Sequence, residues 1–221
     1  MGRVSCAKAL FWFAIVSLLS EAQILEKMAE IRGQVVDATG QPLQGANISL
    51  FPAGAFSGGL PFAVTDEHGR YHLVSPPYGK AWLSAVKESA GYPDTNALLF
   101  AGERDDRPEV FLVPGAHLDV DIHLGPPDGI LKASVIDNKT RDPLSVARLI
   151  MRRAEPSAVH SRTIPADGHF LFALPPVSIQ ISVTAPGYMP WNYIDPHTGS
   201  DKLKVSSSDH LTITIPLEAQ K

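Results

Sequence analysis

The chain is poor in cysteine and in positive charge. Its one cysteine is Cys6, and its 19 basic residues are outnumbered by 23 acidic ones, which gives a formal net charge of −4. A disulfide within the chain needs two cysteines, and thiolate metal sites need several. Nucleic acid is bound by clustered lysine and arginine. The sequence therefore excludes an internal disulfide framework, a cysteine-rich metal site and an electrostatic surface for nucleic acid.

Long apolar runs are also missing. The longest, Ala9 to Leu19, has 11 residues, whereas a membrane-spanning helix needs roughly 20. Arg3 and Lys8 precede this run, and the small residues of Ser20-Glu21-Ala22 follow it. That order is typical of a secretory signal peptide. We predict that residues 1–22 are removed and that no membrane span remains.

Signal cleavage would also remove Cys6 and leave the mature chain without a thiol. Because a secreted chain without disulfides is typical of bacteria, we predict a secreted protein or one of the bacterial periplasm or cell envelope. Residues 23–30 are predicted to form a short leader before the first folded unit.

The rest of the chain repeats one pattern of residues. Asp37 and Asp137, each at the end of an apolar run, lie 100 positions apart, and Gly91 and Gly187, each followed by tyrosine, lie 96 apart. Solenoid repeats recur every ~20–50 residues, so this period is that of a domain. The sequence predicts two copies of one small fold.

Each copy consists of short alternating runs between glycine- and proline-rich turns, without a convincing helix. Ala46 to Phe51 and Lys80 to Val86 alternate as half-buried strands do, and Asp66-Glu67-His68-Gly69 separates two runs as a hairpin turn does. About seven such strands predict an antiparallel β-sandwich. The prediction is an all-β chain of two tandem seven-stranded modules.

The predicted module boundaries follow from the repeat. The first module covers residues 31–124 and the second covers 130–217. Between them, residues 125–129 read Gly-Pro-Pro-Asp-Gly. A linker this short and rich in proline is stiff, so we expect a restricted relative orientation of the modules.

The first copy resembles the carboxypeptidase regulatory-like domain. The residues that carry the resemblance are Asp37, Gly40, Pro42, Leu43, Gly45, Ala46, Thr65, Asp66, Gly69, Tyr71, Pro76, Pro77, Gly91 and Tyr92. The second copy is degenerate, with Lys139-Thr140-Arg141, Ser145-Val146 and Pro165 in place of the corresponding turn and hairpin residues.

The resemblance covers roughly residues 31–217 and implies a transthyretin-like, seven-stranded sandwich that acts as a non-catalytic accessory domain. It implies no cofactor, no metal and no catalytic residue. The resulting hypothesis is a secreted or envelope interaction and scaffold protein that is not an enzyme and that binds a protein or a polysaccharide. A fold of this kind carries many functions, so the partner is left open.

An enzyme on a transthyretin-like fold is the remote alternative. Intradiol dioxygenases hold iron with histidines and tyrosines, but the eight histidines here include no His-x-His pair. The C-terminus lacks the Tyr-Arg-Gly-Ser tail of hydroxyisourate hydrolases, and there is no Gly-x-Ser-x-Gly elbow. Asp105-Asp106, with Glu103 nearby, suggests calcium or a glycosidase pair, although neighbouring arginines favour a solvated loop.

Two further hypotheses concern the second copy. Trp191, Asn192, Tyr193 and Asp195 place two aromatic rings beside an amide and a carboxylate, a combination that stacks on sugar rings and hydrogen-bonds to them. They are the predicted carbohydrate- or partner-binding residues, unless the rings simply cap the end of the sandwich. An isopeptide bond from Lys132 to Asn192 is a minor alternative.

Overall fold

The structure, a computed structural model, describes residues 28–54, 59–74, 76–102, 107–154, 157–165 and 167–220. The predicted signal peptide, residues 1–22, lies outside these ranges, as do most of the predicted leader and residues 103–106. Within the described residues, no helix is long and apolar enough to cross a membrane.

Sixteen strands make up about half of the described chain. They are β1 (Glu30–Val36), β2 (Asn47–Pro52), β3 (Phe62–Val64), β4 (Arg70–Val74), β5 (Gly79–Val86), β6 (Glu109–Leu112), β7 (His117–Asp119), β8 (Ile122–His123), β9 (Gly129–Asp137), β10 (Arg148–Arg153), β11 (Ala158–Thr163), β12 (His169–Leu174), β13 (Val177–Thr184), β14 (Trp191–Asn192), β15 (Leu203–Val205) and β16 (His210–Leu217). A 3₁₀ helix (Glu88–Ala90) and one α-helix, α1 (Thr95–Ala101), lie between β5 and β6.

The strands form two sandwiches with the same topology. We call β1–β8, with the helices among them, the first module and β9–β16 the second module. In the first, β1 lies between β4 and β7, and the facing sheet has the order β3-β2-β5-β6. In the second, β9 lies between β12 and β16, and the facing sheet joins β11, β10 and β13 to β14 and β15. The prediction of an all-β chain is confirmed.

Strand alternation builds each core. In β4, for example, Tyr71 and Leu73 are buried while Arg70, His72 and Val74 are exposed, because successive side chains of a strand point to opposite faces. The first core gathers the inward residues of both sheets, and the second module has its own core cluster. The period-2 pattern of the sequence is therefore what positions the two sheets against each other.

Pairing differs from the prediction in one respect. Most pairs are antiparallel, but β7 and β8 run parallel to β1, and β16 runs parallel to β9. In both modules this last strand follows a strand of the facing sheet, and it crosses between the sheets to reach the first strand. Each module is thus a sandwich with one parallel pairing.

The last strand is interrupted in the first module only. It breaks at Val120, whose carbonyl oxygen accepts a hydrogen bond from the Tyr71 hydroxyl at 2.6 Å. A Cβ added at Gly33 would lie 1.8 Å from that oxygen. In the second module Ala133 and Phe170 occupy the places of Gly33 and Tyr71, and β16 is continuous. The glycine therefore makes room for the displaced carbonyl, and the tyrosine hydroxyl hydrogen-bonds to it.

Helix α1 was not expected from the sequence. The Asp94 side chain caps it by accepting a hydrogen bond from the Ala97 amide at 2.8 Å, and Gly102 ends it in the left-handed conformation. Ala97 and Phe100, three residues apart, are buried and form one face of the helix. Seven residues are too few for helical periodicity to stand out in the sequence.

The two modules share a hydrophobic core through this helix. Ala97 and Phe100 of the first module belong to the core cluster of the second. The segment predicted as the linker is bonded to the first module, because the Asp128 amide donates a hydrogen bond to the Gly91 carbonyl oxygen at 2.8 Å. The modules are joined by packing as well as by the chain.

Candidate functional site

The residues that carry the family resemblance build turns. The Asp37 carboxylate accepts hydrogen bonds from the amides of Thr39 and Gln41 and from the Thr39 hydroxyl. These bonds, the one from the Thr39 hydroxyl above all, lower the pKa of Asp37. In the second module, Asp137 accepts from the amides of Lys139 and Thr140 in the same way. Both aspartates stabilise the turn after the first strand of their module.

The hairpin motif has a similar structural role. The Asp66 carboxylate accepts from the amides of His68 and Arg70 at 2.9 and 2.8 Å. The buried Thr65 hydroxyl donates to the Leu43 carbonyl oxygen. Gly69 has a φ of 71°, a value that residues with a side chain rarely adopt. These residues therefore stabilise the backbone of the hairpin.

The tyrosine of the Gly-Tyr pair closes the end of each sandwich. The Tyr188 hydroxyl donates to the Asp137 carboxylate at 2.8 Å, and this bond is the main reason that the pKa of Tyr188 is raised. Tyr92 is buried in the first module, where desolvation and the charge of Asp37 raise its pKa. The repeat therefore pairs a strand-end aspartate with a capping tyrosine.

The four predicted sugar-binding residues do not converge on one surface. Trp191 lies opposite Val183, a core residue, and packs with Tyr193 against the second core, their ring centroids 6.4 Å apart in edge contact. Asn192 is exposed and pairs with Ser182, so it faces the other side of the sheet. Trp191 and Tyr193 are together, and Asn192 is apart from them.

Asp195 organises the loop that follows. Its carboxylate accepts hydrogen bonds from the amides of Thr198 and His197, both at 2.8 Å, and these bonds lower its pKa. Burial, together with the charge of Asp195 3.4 Å away, raises the pKa of the Tyr193 hydroxyl. A carboxylate oxygen of Asp195 is thus used within the protein.

Strand register reveals a line of aromatic side chains that sequence reading missed. Phe62, Phe51, Trp82 and Phe111 lie on β3, β2, β5 and β6 in turn, all on the outer face of one sheet; we call them the aromatic strip. Phe51 pairs with Trp82. Phe62 lies two residues away from Phe51 in one direction along the strands, and Phe111 lies two residues away from Trp82 in the opposite direction. At ~4.8 Å between strands and ~3.4 Å per residue, the strip is roughly 20 Å long.

The ends of the strip are open, and charged side chains cover its centre. Phe62 and Phe111 are 73% and 68% exposed. Lys80 lies over the Trp82 ring, with Nζ 5.3 Å from the centroid, and Arg107 lies over Phe51 at 5.2 Å. These are cation–π distances. Alternation alone places each ring outward, but only the cross-strand register shows that the four rings form a line.

The second module carries polar side chains at the same four positions. By strand order and register, Ser161, Arg152, Gln180 and Lys204 take the places of Phe62, Phe51, Trp82 and Phe111. The Arg152 guanidinium donates to the Ser182 hydroxyl at 3.0 Å. One fold therefore supports an aromatic outer face in one copy and a polar outer face in the other.

A charged cluster fastens the modules together beside the shared core. Arg162 of β11 donates to both carboxylate oxygens of Glu88 at 3.1 and 3.0 Å and to Asp94 at 2.7 Å. Its guanidinium carbon is also 4.1 Å from the centroid of the Phe172 ring. Partial burial works against its charge, but Glu88 and Asp94 outweigh this and raise the pKa of Arg162.

His160 lies against the same contact. Its ring packs against Phe100 of the first module and Phe172 of the second, with centroids 5.9 and 6.0 Å away. Its Nε2 is buried without a hydrogen-bond partner among the described residues. Burial lowers the pKa of His160. A positive charge on the His160 ring would therefore be unfavourable at this contact between the modules.

The other candidate chemistries find no assembled site in the described residues. There, no three acidic, histidine or cysteine side chains are close enough together to hold a metal ion. Lys132 and Asn192 are exposed on the outer faces of opposite sheets. The Asp105-Asp106 pair lies outside the described residues.

Comparison with known proteins supports the resemblance found in the first module. The family model of the carboxypeptidase regulatory-like domain matches residues 30–125. The predicted membership of the first module is therefore confirmed. The second module lies outside the matched range, and its relation to the first rests on the repeated topology. No curated protein matches the sequence.

Several solved structures are similar to this chain at low sequence identity. They include the TIE protein of Bacillus anthracis (13% identity, 87% of this chain and 34% of that chain, TM-score 0.36). A streptococcal ancillary pilin has 16% identity over 88% of this chain and 63% of that chain, with a TM-score of 0.38. The minor pilin of Streptococcus agalactiae has 14% identity over 87% and 97%, with a TM-score of 0.36. The chain spans about a third of the first protein and less than two thirds of the second.

Proposed function

We propose that this chain, whose residues 30–125 are a carboxypeptidase regulatory-like domain, is a non-catalytic scaffold and interaction protein. Its two sandwich modules are held in one fixed arrangement and present their outer faces to a partner. The proposed boundaries are 31–124 for the first module, 125–129 for the linker and 130–217 for the second.

One observation carries the proposal. Phe100, which is 4% exposed, belongs to the first module by sequence and to the second by packing. Flexibly linked domains usually meet through smaller and more polar contacts. A side chain inserted into the neighbouring core, with the Arg162 ion pairs beside it, restricts rotation between the modules. Such a unit is suited to holding binding surfaces at a set distance.

The roles of the family residues support the absence of catalysis. Asp37, Asp66 and Asp137 each accept hydrogen bonds from backbone amides through a carboxylate oxygen. Thr65 and Tyr188 likewise bond within the protein. A catalytic acid, base or nucleophile needs free access to substrate. The shared residues therefore specify the fold rather than a reaction.

Distances between the modules test the scaffold. In a Cys6→Ser background, spin labels at Gln41→Cys and Lys204→Cys, both exposed in the structure, are expected to give one narrow distance distribution. Adding Phe100→Ala should broaden it, whereas Leu99→Ala, at an exposed position of the same helix, should not. A broad distribution in the protein without either helix substitution would contradict the proposal.

We also propose that residues 1–22 direct the chain to the periplasm or exterior. The support is the charged start, the apolar run and the small residues that follow it. The test is fractionation of bacterial cells that produce the chain with or without these residues. The full chain should be found outside the cytoplasm and the shortened chain inside it. Equal distributions of the full and the shortened chain between the fractions would contradict the proposed export signal.

Carbohydrate binding by Trp191 and Tyr193, with Asp195 nearby, is the second candidate. It is favoured by the edge contact of the two half-buried rings and by the position of Asp195 beside the Tyr193 hydroxyl. Asn192 would have to contribute from the other face of the sheet. Gel retardation by polysaccharides that disappears in Trp191→Ala would support this site, and unchanged retardation would reject it.

A further inference from the structure

The aromatic strip is not required by the fold. The second module has the same strand order and the same register, yet it carries serine, arginine, glutamine and lysine at the four corresponding positions. A sandwich of this topology therefore forms without rings on its outer face. Neither the strand order nor the register therefore accounts for the four aromatic side chains on the first module.

Exposure makes the same point energetically. Phe62 and Phe111 leave most of their apolar surface in water, although burying a phenylalanine side chain is favourable. Isolated exposed apolar residues are common on proteins. Here, however, two of the most exposed ones end a line whose middle members, Phe51 and Trp82, lie on neighbouring strands.

The side chains that lie beside the rings on the same face are polar. Ser49 pairs with Phe62 along the face, Glu109 pairs with Trp82, and Lys80 pairs with Phe111. The core of a protein interface is more apolar than the rest of the surface and is depleted of lysine, glutamate and serine. A line of rings with hydroxyl, carboxylate and ammonium groups beside them instead matches sugars, which present apolar ring faces and hydroxyl groups together.

The charged side chains beside the aromatic strip distinguish between acidic and uncharged polysaccharides. The Lys80 ammonium and the Glu109 carboxylate form an ion pair at 2.8 Å, which cancels their charges. The remaining positive charge, that of Arg107, lies over the Phe51 ring, and its guanidinium donates to the Thr95 hydroxyl at 3.4 Å. An acidic polysaccharide would be repelled by Glu109 and would compete for Lys80. An uncharged polysaccharide would only replace the water molecules that are hydrogen-bonded to Lys80 and Glu109 with its own hydroxyl groups.

We propose that the aromatic strip binds a linear, uncharged polysaccharide. The polysaccharide would lie diagonally across β3, β2, β5 and β6, stack one sugar ring on Phe62 and a more distant one on Phe111, and hydrogen-bond to Lys80 and Glu109. This goes beyond the scaffold function, because a fixed pair of modules needs no ligand. The strip also differs in place from Trp191 and Tyr193, which belong to the second module.

Native gels that contain hydroxyethyl cellulose, soluble starch or xylan test the proposal. The unaltered protein is expected to be retarded in at least one of them. The double variant Phe62→Ala/Phe111→Ala should bind that polysaccharide at least about tenfold more weakly, since two stacking contacts are lost. Both residues are exposed, so the melting temperature should change little.

Three matched variants complete the test. Val159→Ala changes an exposed apolar residue on the corresponding sheet of the second module and should leave retardation unchanged. Phe62→Ser/Phe111→Lys, which installs the residues of the second module, should abolish it. Trp191→Ala should also bind normally, which separates the two candidate sugar sites.

Three results would overturn the proposal. They are the absence of retardation in all three gels, equal retardation of the double variant, and a dimer of the unaltered protein in sedimentation that the double variant converts to monomer. The last result would assign the strip to a second copy of the chain. None of them bears on the arrangement of the two modules within one copy, so failure here is distinct from failure of the scaffold.

Discussion

Arg162 and Glu88 form a two-point ion pair across 74 positions of sequence, with guanidinium nitrogens 3.1 and 3.0 Å from the two carboxylate oxygens. The two residues belong to different modules. The planar fork of arginine suits this geometry better than a lysine ammonium does. The pair is partly buried, so solvent screens it less than an exposed pair.

Replacing Arg162 with alanine is expected to destabilise the protein by about 2 kcal/mol, because Glu88 and Asp94 would keep their charges in a partly buried place without a partner. Urea denaturation followed by circular dichroism measures the change. Lys80→Ala, which breaks the exposed pair with Glu109, should cost less than about 1 kcal/mol. Equal costs for the two variants would show that the pair between the modules is of no special importance.

Phe100→Ala is expected to cost about 3–4 kcal/mol, as removal of a buried aromatic ring does, and to uncouple the modules. Trp82 and Trp191 report on one module each, so fluorescence of variants in a Trp12→Phe background with only one of them present follows each transition. The two transitions should coincide in the parent and separate with Phe100→Ala. Leu99→Ala serves as the control, and separate transitions already in the parent would argue against a shared core.

Acid is expected to weaken the contact between the modules through His160. Burial holds the pKa of this histidine below its ordinary value of about 6.5, so the unfolded state takes up a proton first as the pH falls. The stability that the neutral ring contributes is complete above about pH 6.5 and is lost as the pH falls toward the folded-state pKa. Nearby charges act in both directions, since Asp94 and Glu88 favour the protonated ring and Arg162 opposes it.

The measurement is the free energy of unfolding between about pH 7 and pH 5. His160→Leu should flatten the decrease across this window and raise stability at pH 7 by roughly 1 kcal/mol, because an unsatisfied buried nitrogen is removed. His123→Gln, at an exposed position of β8, should keep the slope of the parent. The carboxylates with lowered pKa values, such as Asp37 and Asp137, lose their contribution only at a lower pH. An unchanged slope in His160→Leu would refute the assignment.

Gly33 and Tyr71 are expected to depend on each other. Gly33→Ala places a Cβ against the Val120 carbonyl oxygen and should cost about 2–3 kcal/mol. Tyr71→Phe removes the hydrogen bond to that oxygen and should cost about 1 kcal/mol. The double variant recreates the Ala-Phe pair of the second module, so its cost should be smaller than the sum of the two. Strict additivity in denaturation would indicate that the strand break has another cause.

Much of the fold was accessible from the sequence because its signals are local. Turn aspartates, glycines with positive φ and alternating strands occur twice, and the structure uses Asp37 and Asp137 in the same way. Helix α1 was not accessible, because seven residues of mixed polarity carry no helical period of their own. What orders this segment is the core of the other module, which a reading of one segment at a time does not include.

The candidate surfaces show the same limit. Trp191, Asn192 and Tyr193 are consecutive, which made them conspicuous, yet strand alternation sends Asn192 to the opposite face. The members of the aromatic strip are scattered from residue 51 to residue 111. Only the register of four strands brings them into a line, and register is a property of the whole sheet.

Residual dipolar couplings of the backbone amides test whether the two modules are fixed to each other, since they report the orientation of each module in a common frame. One alignment tensor is expected to fit the couplings of β1–β8 and β9–β16 together, because Phe100 and Arg162 set the arrangement. Two tensors of different magnitude would mean that the modules move independently, and they would contradict the fixed scaffold.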